Sequence, residues 1–336
     1  QARLDLKLAD LGNVSSAFGY SSAGWRAIDQ RLGQTQLTEV LQYDVSTNIE
    51  LHKFLPQKWG VRIPFYAQYS NITKTPEYDP YDLDLKLRDK LRSETDRTAR
   101  DSIRTAAEDV VINRGYNFTN VRKERKNGSR KPMPWDVSNF SLTYAYNQQK
   151  RRDPFISNAE QNQYKGGLDY QYATGMKPIT PFKKLVKKDK YLKFISEFNF
   201  NPIPNTYGFN SNMERLQSVT TYRFVGENTD PALNTFYNRR LTWDRNYDLS
   251  WDITRALKFN FDATARSIID EPLEFDNGRR VTAQERKDSI FTNIRHLGRP
   301  KNYTHNASLN YTLPFKYLPL MDWVSVKASY TAGYTW

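Results

Sequence analysis

The sequence predicts an all-β fold of antiparallel strands, and three observations support this fold class. Polar and apolar residues alternate over many segments, as side chains do on the two faces of a strand. Aromatic residues make up 14% of the chain although hydrophobic residues reach only 38%, a balance that suits transmembrane barrels better than soluble domains. No run of about 18 apolar residues occurs, so the sequence offers no transmembrane helix.

The alternation is clearest in residues 41–51. The odd-numbered positions from Leu41 to Leu51 are mostly apolar or aromatic, and the even-numbered positions from Gln42 to Glu50 are polar or charged. One face of this segment is therefore apolar and the other hydrophilic. A soluble sandwich fits this pattern, and so does a barrel with lipid outside and water inside.

Eleven segments are predicted as strands, of lengths that suit tilted membrane strands of roughly 9–11 residues. They are 2–9, 38–52, 59–72, 115–125, 138–149, 163–174, 205–224, 241–254, 256–268, 302–314 and 323–336. The connections then alternate between short and long, as an up-and-down barrel requires. The short ones are 53–58, 126–137, 255 and 315–322, and the long ones are 10–37, 73–114, 225–240 and 269–301. Residues 150–162 and 175–204 fit this alternation less well.

Two long connections are predicted to carry short helices. Residues 83–113 place apolar side chains at near-helical spacing among charged ones, and the sequence does not decide whether they fold inside or outside the barrel. Residues 190–198 place Leu192, Ile195 and Phe198 on one side, after a lysine-rich run. This second helix lies at a membrane interface or packs against the barrel rim, and the sequence supports both readings equally.

The alternation also predicts which side chains face water and which face lipid. The residues predicted to face the lumen are Gln42, Asp44, Asn48, Glu50, Asp244, Asp248, Asp252, Lys258, Asn306 and Asn310. The residues predicted to face lipid are Tyr43, Ile49, Leu142, Tyr144, Leu249, Trp251, Leu309, Tyr311, Tyr330 and Tyr334. The stripe of Asp244, Asp248 and Asp252 is either an acidic track in the lumen or a solvated face paired with Lys258 and Arg266 on the next strand. The second reading is favoured, because opposite charges on neighbouring strands normally pair.

No pattern in the sequence indicates an enzyme or a cofactor site. The three histidines, His52, His296 and His305, lack the spacing of a zinc site, and the chain has no cysteine. The nucleophile elbow, the phosphate-binding loop and the dinucleotide-binding glycine pattern are all absent from the sequence. We therefore expect no catalytic residues, no metal site and no bound cofactor.

The chain carries a net charge of +13, for which nucleic acid, anionic lipid or plain solvent are the candidate partners. Alternation spreads the charge around the wall instead of gathering it in one groove, which disfavours nucleic acid. Arg245 interrupts the apolar face of its strand near the long-loop end, where the phosphate of a lipid could meet it. At the bilayer midplane an exposed arginine would cost about 2–4 kcal/mol.

Several motifs resemble one known family. They are EVLQYDVSTNIELHKFLPQKWGVRIPFYAQY (39–69), TPEYDPYDLDLKLRD (75–89), YNFTNVRKER with KPMPWDVSNFSLTYAY (116–146), YKGGLDYQY (164–172) and FNFNPIPNTYGFNSNMER (198–215). Together they resemble the SprA/Sov family, the outer-membrane translocon of the type IX secretion system in Bacteroidota. The resemblance extends over nearly the whole chain, which the sequence therefore predicts to be an excerpt of a much longer protein. A mature chain that ends in the terminal aromatic residue common to outer-membrane barrels is the alternative.

The resemblance implies that the chain is a segment of a very large antiparallel transmembrane β-barrel, of about eleven strands without separate domains, whose long loops carry short helices. It implies export of folded cargo bearing a C-terminal signal domain, a plug protein, a PorV-type shuttle barrel, a role in gliding motility and contact with outer-membrane lipids. Three alternatives stay open: a nutrient transporter of the TonB-dependent type, a soluble β-rich binding module, and, with little support, an outer-membrane enzyme.

Overall fold

The computed structural model describes residues 2–25, 36–125, 133–174, 178–183, 193–223, 234–276, 279–315, 321 and 323–336. Its strands are β1 Ala2–Leu8, β2 Gly12–Trp25, β3 Gln36–Glu50, β4 Val61–Arg62, β5 Pro64–Pro76, β6 Tyr78–Asp79, β7 Asp82–Lys86, β8 Asp109–Lys123, β9 Phe140–Arg152, β10 Ile156–Ala173, β11 Thr206–Tyr222, β12 Thr235–Asp252, β13 Leu257–Ile269, β14 Phe275–Asp276, β15 Arg279–Arg280, β16 Arg299–Leu313 and β17 Val326–Thr335. Its helices are α1 Leu87–Ser93, α2 Arg97–Ala107, α3 Lys193–Ser196 and α4 Ala283–Arg295.

The strands form one large antiparallel sheet. Within the described residues its order is β1-β2-β3-β5-β8-β9-β10-β11-β12-β13-β16-β17, with the short β4 beside β8. The pairs β6–β7 and β14–β15 form small hairpins of their own. In the part of the chain that the structure describes, β1 and β17 are the edges and do not pair with each other, so the sheet is open.

The prediction of a long loop over residues 10–37 is wrong for residues 12–25. These residues form β2, which pairs with β1 from Ala2↔Phe18 to Leu8↔Gly12 across a turn of three residues. The turn is closed by the amide of Leu11, which donates to the carbonyl of Leu8 at 2.8 Å. Val14, Phe18 and Tyr20 share one face of β2, but glycine, alanine and serine occupy most of its other positions, so the alternation is weak and hard to recognise in the sequence.

The predicted helices are partly confirmed. Residues 83–113 contain α1 and α2, but this range starts inside the strand β7 and ends inside β8. Within residues 190–198 the structure describes only the single turn α3, and residues 190–192 lie outside the described residues. Helix α4 was predicted as loop. It begins at a capping box, in which Thr282 and Glu285 exchange side-chain-to-backbone hydrogen bonds, a signal that the sequence contained.

Antiparallel pairing places the connections alternately at two ends of the sheet. The end with residues 77–108 and 270–298, which carry α1, α2 and α4, is called the helical end here. The opposite end, with the tight connections 9–11 and 253–256, is called the turn end. The predicted outer connection 150–162 shrinks to residues 153–155 at the helical end, because β9 and β10 are longer than expected.

No second layer covers the main sheet in the described residues, so most of both faces is open. The buried apolar side chains gather mainly at the helical end, where the helices fold back against the sheet. They include Leu87, Ala107, Val110, Leu241, Ile269 and Val281.

Candidate functional site

All ten residues predicted to face lipid lie on one face of the sheet. The pairing register carries this face from strand to strand, for example through Phe18↔Tyr43, Leu249↔Phe261 and Leu309↔Tyr330. The structure therefore gathers Tyr43, Ile49, Leu142, Tyr144, Leu249, Trp251, Leu309, Tyr311, Tyr330 and Tyr334 into one surface, called the aromatic face here. Whether this surface meets lipid stays a prediction.

Ring contacts run across the aromatic face from strand to strand. Tyr116 on β8 lies 6.3 Å from Tyr144 and 5.1 Å from Tyr146 on β9, and Tyr146 lies 4.9 Å from Tyr164 on β10. The pairing of β16 with β17 repeats this arrangement, with His305 5.5 Å from Tyr334. Aromatic pairs of this kind contribute about 0.5–1.5 kcal/mol each beyond their buried area.

The aromatic face is also largely open to its surroundings. Leu142 is 55% exposed and Tyr330 68% exposed. A contiguous open apolar surface of this kind marks a site that meets a partner or a membrane.

All ten residues predicted to face the lumen lie on the opposite side, called the polar face here. They are Gln42, Asp44, Asn48, Glu50, Asp244, Asp248, Asp252, Lys258, Asn306 and Asn310. Short hydrogen bonds link many of these side chains, such as Gln42 to Asp44 at 2.7 Å and Asn310 to Ser329 at 2.8 Å. That the polar face lines a lumen stays a prediction.

The aspartate stripe of β12 is mostly paired with the next strand. Arg266 donates from Nε to Asp244 at 2.8 Å, and Lys258 lies 3.8 Å from Asp252. Asp248 lies directly opposite Asp262, and neither has an ion-pair partner in the described part of the chain. Asp244 and Asp252 therefore match the prediction of a solvated face paired with the next strand, and Asp248 does not.

Residues 270–276 and 279–298, called the flap here, fold onto the aromatic face at the helical end. Arg215 on β11 donates to Glu271 at 2.7 Å and 2.5 Å, and Arg239 on β12 bonds Glu274. Both arginines project from the aromatic face. Arg215 pairs with Leu241, and Arg239 lies between Tyr237 and Leu241 with its side chain on the same side of β12. The flap therefore covers β11, β12 and β13 from the apolar side, and Ile269 beneath it is only 1% exposed.

Gly298 lets the end of the flap pack closely against β13. Its φ of +70° is in the left-handed region, which glycine adopts at no steric cost. A Cβ at this position would lie 2.6 Å from Cδ1 of Ile269 and 3.3 Å from Cβ of Ser267. A larger residue here would therefore lift the flap from β13.

Glu274 is the charge centre of the flap. Its side chain is 7% exposed and is surrounded by Arg239, by Arg280 at 2.8 Å and by Arg286 at 3.0 Å. Burial raises the pKa of Glu274, but the hydrogen bonds from Arg239 and Arg280 outweigh it, so the pKa lies below its usual range. The carboxylate is therefore ionised at neutral pH and holds the flap through three guanidinium groups.

The residues whose ion pairs hold the flap were not singled out from the sequence. Arg215 and Glu271 are 56 residues apart in the chain, and no short-range pattern links them. The available signal was the capping box that starts α4, together with carboxylates close behind the end of β13.

The segment with α1 and α2 contacts the same face as the flap. Arg88 lies 3.9 Å from Glu39, and Arg152 lies 3.4 Å from Glu108, with Glu39 and Arg152 both on the aromatic face. The Tyr81 hydroxyl donates to the carbonyl of Pro154 at 2.6 Å. This segment therefore folds against the rim from the apolar side.

The carboxyl group of Glu108 behaves oppositely to that of Glu274. Burial raises the pKa of Glu108, and the charges of Arg152 and Arg104 lower it only in part. The ionised form of this group is therefore less favourable in the folded protein than in water.

Arg245 lies on the aromatic face but does not present its charge to the surroundings. It is 7% exposed, its guanidinium stacks 4.6 Å from the ring of Trp243, and it donates to Oγ of Ser267 at 2.9 Å. It has no carboxylate partner among the described residues, and its Nε makes no hydrogen bond there. The flap residue Gly298 approaches Ser267, so the flap borders this arginine. The expectation that Arg245 meets a lipid phosphate does not fit this burial.

In the described ranges, no group of three or more His, Asp or Glu side chains is arranged to hold a metal ion.

Among the helices described, none is long and apolar enough to cross a membrane.

The fold is a sheet with one aromatic and one hydrophilic surface. A comparison with protein families indicates the kind of protein to which it is related. The family model SprA_N, a motility-related or secretion protein, matches residues 1–91. This match supports a SprA/Sov-family relationship and agrees with the resemblance of the motifs at 39–69 and 75–89, which lie within the matched residues. It points to a motility- or secretion-related protein. No curated protein matches the chain.

Proposed function

We propose that this chain forms part of the wall of a protein-conducting outer-membrane pore, which exports folded cargo from periplasm to cell surface in type IX secretion. One observation carries the proposal. The sheet is a single layer over the described residues, with an open aromatic face and an open polar face. A soluble sandwich would cover its apolar face with a second sheet, whereas a barrel wall leaves that face to lipid.

The height of the aromatic face supports a bilayer as its partner. On β16, the aromatic-face positions run from Tyr303 to Leu313. Ten residue steps of about 3.4 Å span about 34 Å along a strand. A tilt of about 45° reduces this to about 24 Å, close to the apolar band of about 25 Å in outer-membrane barrels.

Charge marks the upper limit of this band. The strand residues Arg215, Arg239 and Arg152 lie on the aromatic face at the helical end and are paired with Glu271, Glu274 and Glu108 of the adjoining segments. Such a rim suits the headgroup level, where an arginine costs only about 0–1 kcal/mol. The helical end would then be the outer surface, and the turn end would face the periplasm.

The two open edges support a larger assembly of strands. Edge strands present unpaired backbone groups that cannot be left in lipid. In the proposal, β1 and β17 pair with further strands of the pore. The resulting barrel would be far wider than one closed from the twelve strands of this sheet alone. Known barrels reach about 36 strands, and folded cargo requires a wide lumen.

The proposed pore performs no chemistry. The polar face would supply a hydrated, non-adhesive lumen, and a partner would supply the energy, as nothing in the sequence binds nucleotide. The proposed partners are secreted cargo with a C-terminal signal domain, a plug protein, a PorV-type shuttle barrel and outer-membrane lipids, without nucleic acid. No cofactor and no enzymatic activity are proposed, and delivery of proteins to the cell surface would link the protein to gliding motility in Bacteroidota.

Depletion of the parent gene tests the proposal. Quantitative proteomics of periplasm, cell surface and medium should show proteins with a shared C-terminal signal domain accumulating in the periplasm and disappearing outside. The matched control is the same strain with the gene restored. Intact secretion together with failed growth on one large nutrient would refute the proposal and favour a transporter of the TonB-dependent type.

A further inference from the structure

A deep groove opens on the aromatic face at the turn end. Its apolar wall consists of Phe198, Leu257, Leu309, Tyr311, Trp323 and Tyr330, and its volume is about 830 Å³. This volume lies within the range of about 300–1,000 Å³ that is typical of ligand pockets. The ring of Trp323 is 82% exposed and that of Tyr330 68% exposed, so apolar surface extends from the groove to its mouth.

One side of the groove is an overhanging segment that is fixed to the end of β12. The side chain of Asn199 accepts from the amide of Arg255 at 2.8 Å, and the indole of Trp251 donates to the carbonyl of Asn201 at 2.9 Å. Asn201 in turn donates to the carbonyl of Asp252 at 2.8 Å. The overhang is therefore held by several hydrogen bonds, and the groove is a built feature of this end.

The guanidinium group of Arg255 lies at the edge of the groove. The side chain of Arg255 is 56% exposed and lies 3.6 Å from Glu197. A pair of this exposure and distance is weak, so the guanidinium keeps donors free for an anion. The lining thus combines a long apolar wall with one accessible guanidinium, which lies beside the carboxylate of Glu197.

The surface beside the groove has the same character. Phe182 and Phe198 lie 6.0 Å apart, Phe198 and Phe200 lie 6.4 Å apart, and all three are exposed by 36–45%. Lys183, which follows Phe182 in the chain, is exposed as well. Exposed aromatic rings next to a basic residue are typical of protein surfaces that lie at the anionic headgroups of a membrane.

We propose that the groove is a binding site for one glycerophospholipid, with an acyl chain along Leu309 and Tyr311 and the phosphate at Arg255. Charge complementarity and continuity with the aromatic face favour this occupant. A peptide would need partners for its backbone groups, and the mainly apolar wall offers few. The assignment of this lipid to the periplasmic leaflet rests on the proposed function, because that places the turn end on the periplasmic side.

The test is the phospholipid retained by the full-length protein after purification in mild detergent, measured per molecule by mass spectrometry. Ala328→Trp fills the groove from β17, and Arg255→Gln removes the phosphate partner. We expect each to reduce retained phospholipid about tenfold, which corresponds to about 1.4 kcal/mol. The matched controls are Ala332→Trp, on the same face of β17 but outside the groove, and Arg299→Gln, at the helical end.

Four outcomes would overturn the proposal. They are no phospholipid retained by the wild-type protein, equal loss in the two control variants, loss with Ala328→Trp but not with Arg255→Gln, and retention of lipid A in place of phospholipid. Secretion of cargo is measured on the same strains. If secretion is intact but the purified wild-type protein retains no phospholipid, this site alone is refuted. If the wild-type protein is absent from the outer membrane, the proposed function is refuted.

Discussion

An arginine at Tyr247 tests the two faces of the sheet most directly. Tyr247 lies near the middle of β12 on the aromatic face, is 37% exposed, and its ring lies 5.2 Å from that of Phe209. The neighbouring Asn246 points to the polar face of the same strand. Adjacent residues at the same depth thus probe opposite environments.

The expected cost of Tyr247→Arg has two parts. An arginine on the lipid side costs about 2–4 kcal/mol at the bilayer midplane, and loss of the ring pair with Phe209 adds about 0.5–1.5 kcal/mol. The total of about 2.5–5.5 kcal/mol should speed hydrogen exchange of β11–β13 by at least about 50-fold. Asn246→Arg lies beside Asp244 and Asp248 and should stay within about 0.5 kcal/mol of wild type.

Hydrogen exchange of the full-length protein in lipid nanodiscs measures both variants. The amount of assembled protein in the outer membrane controls for folding. Equal costs for the two variants, or a larger cost for Asn246→Arg, would refute the assignment of the aromatic face to lipid.

Three further predictions concern the flap and the faces. Glu274→Gln should destabilise the flap by about 3 kcal/mol, at the low end for breaking a buried ion pair because Arg280 is 72% exposed, and deuterium uptake of residues 279–298 should rise about 100-fold. Glu285→Gln loses the exposed ion pair with Arg279 but can keep the capping box, since Gln also serves at this position, and should change the uptake far less. Because folding lowers the pKa of Glu274, the contribution of Glu274 is present at neutral pH and lost as pH falls below about 4. Folding raises the pKa of Glu108, so Glu108→Gln should leave exchange at neutral pH unchanged or slower. Flap protection factors, corrected for the pH dependence of intrinsic amide exchange, that stay unchanged from pH 7 to 3 would contradict this linkage. In a chain without cysteine, Asn48→Cys should react with a membrane-impermeant thiol reagent and Ile49→Cys should not, and the reverse result would invert the faces.

Much of the main sheet was predictable from the sequence. In β12 and β16, alternation alone separated the aromatic positions from the polar ones, because a strand turns successive side chains to opposite faces. The same reasoning missed β2, where Gly, Ala and Ser at most positions weaken the alternation. The strand became visible only through its pairing with β1 and β3.

The sequence by itself determined the two-faced strands, the aromatic and polar residue sets and the relationship to a secretion family, since these depend on local periodicity and motifs. The tertiary structure alone decided that the flap lies on the aromatic face, that Glu274 gathers three arginines and that Arg245 is buried under Trp243. These features join residues from different strands, and which side chains meet depends on the register between strands. Register depends on which strands are neighbours and on the turns between them, so the alternation within a single strand does not determine it.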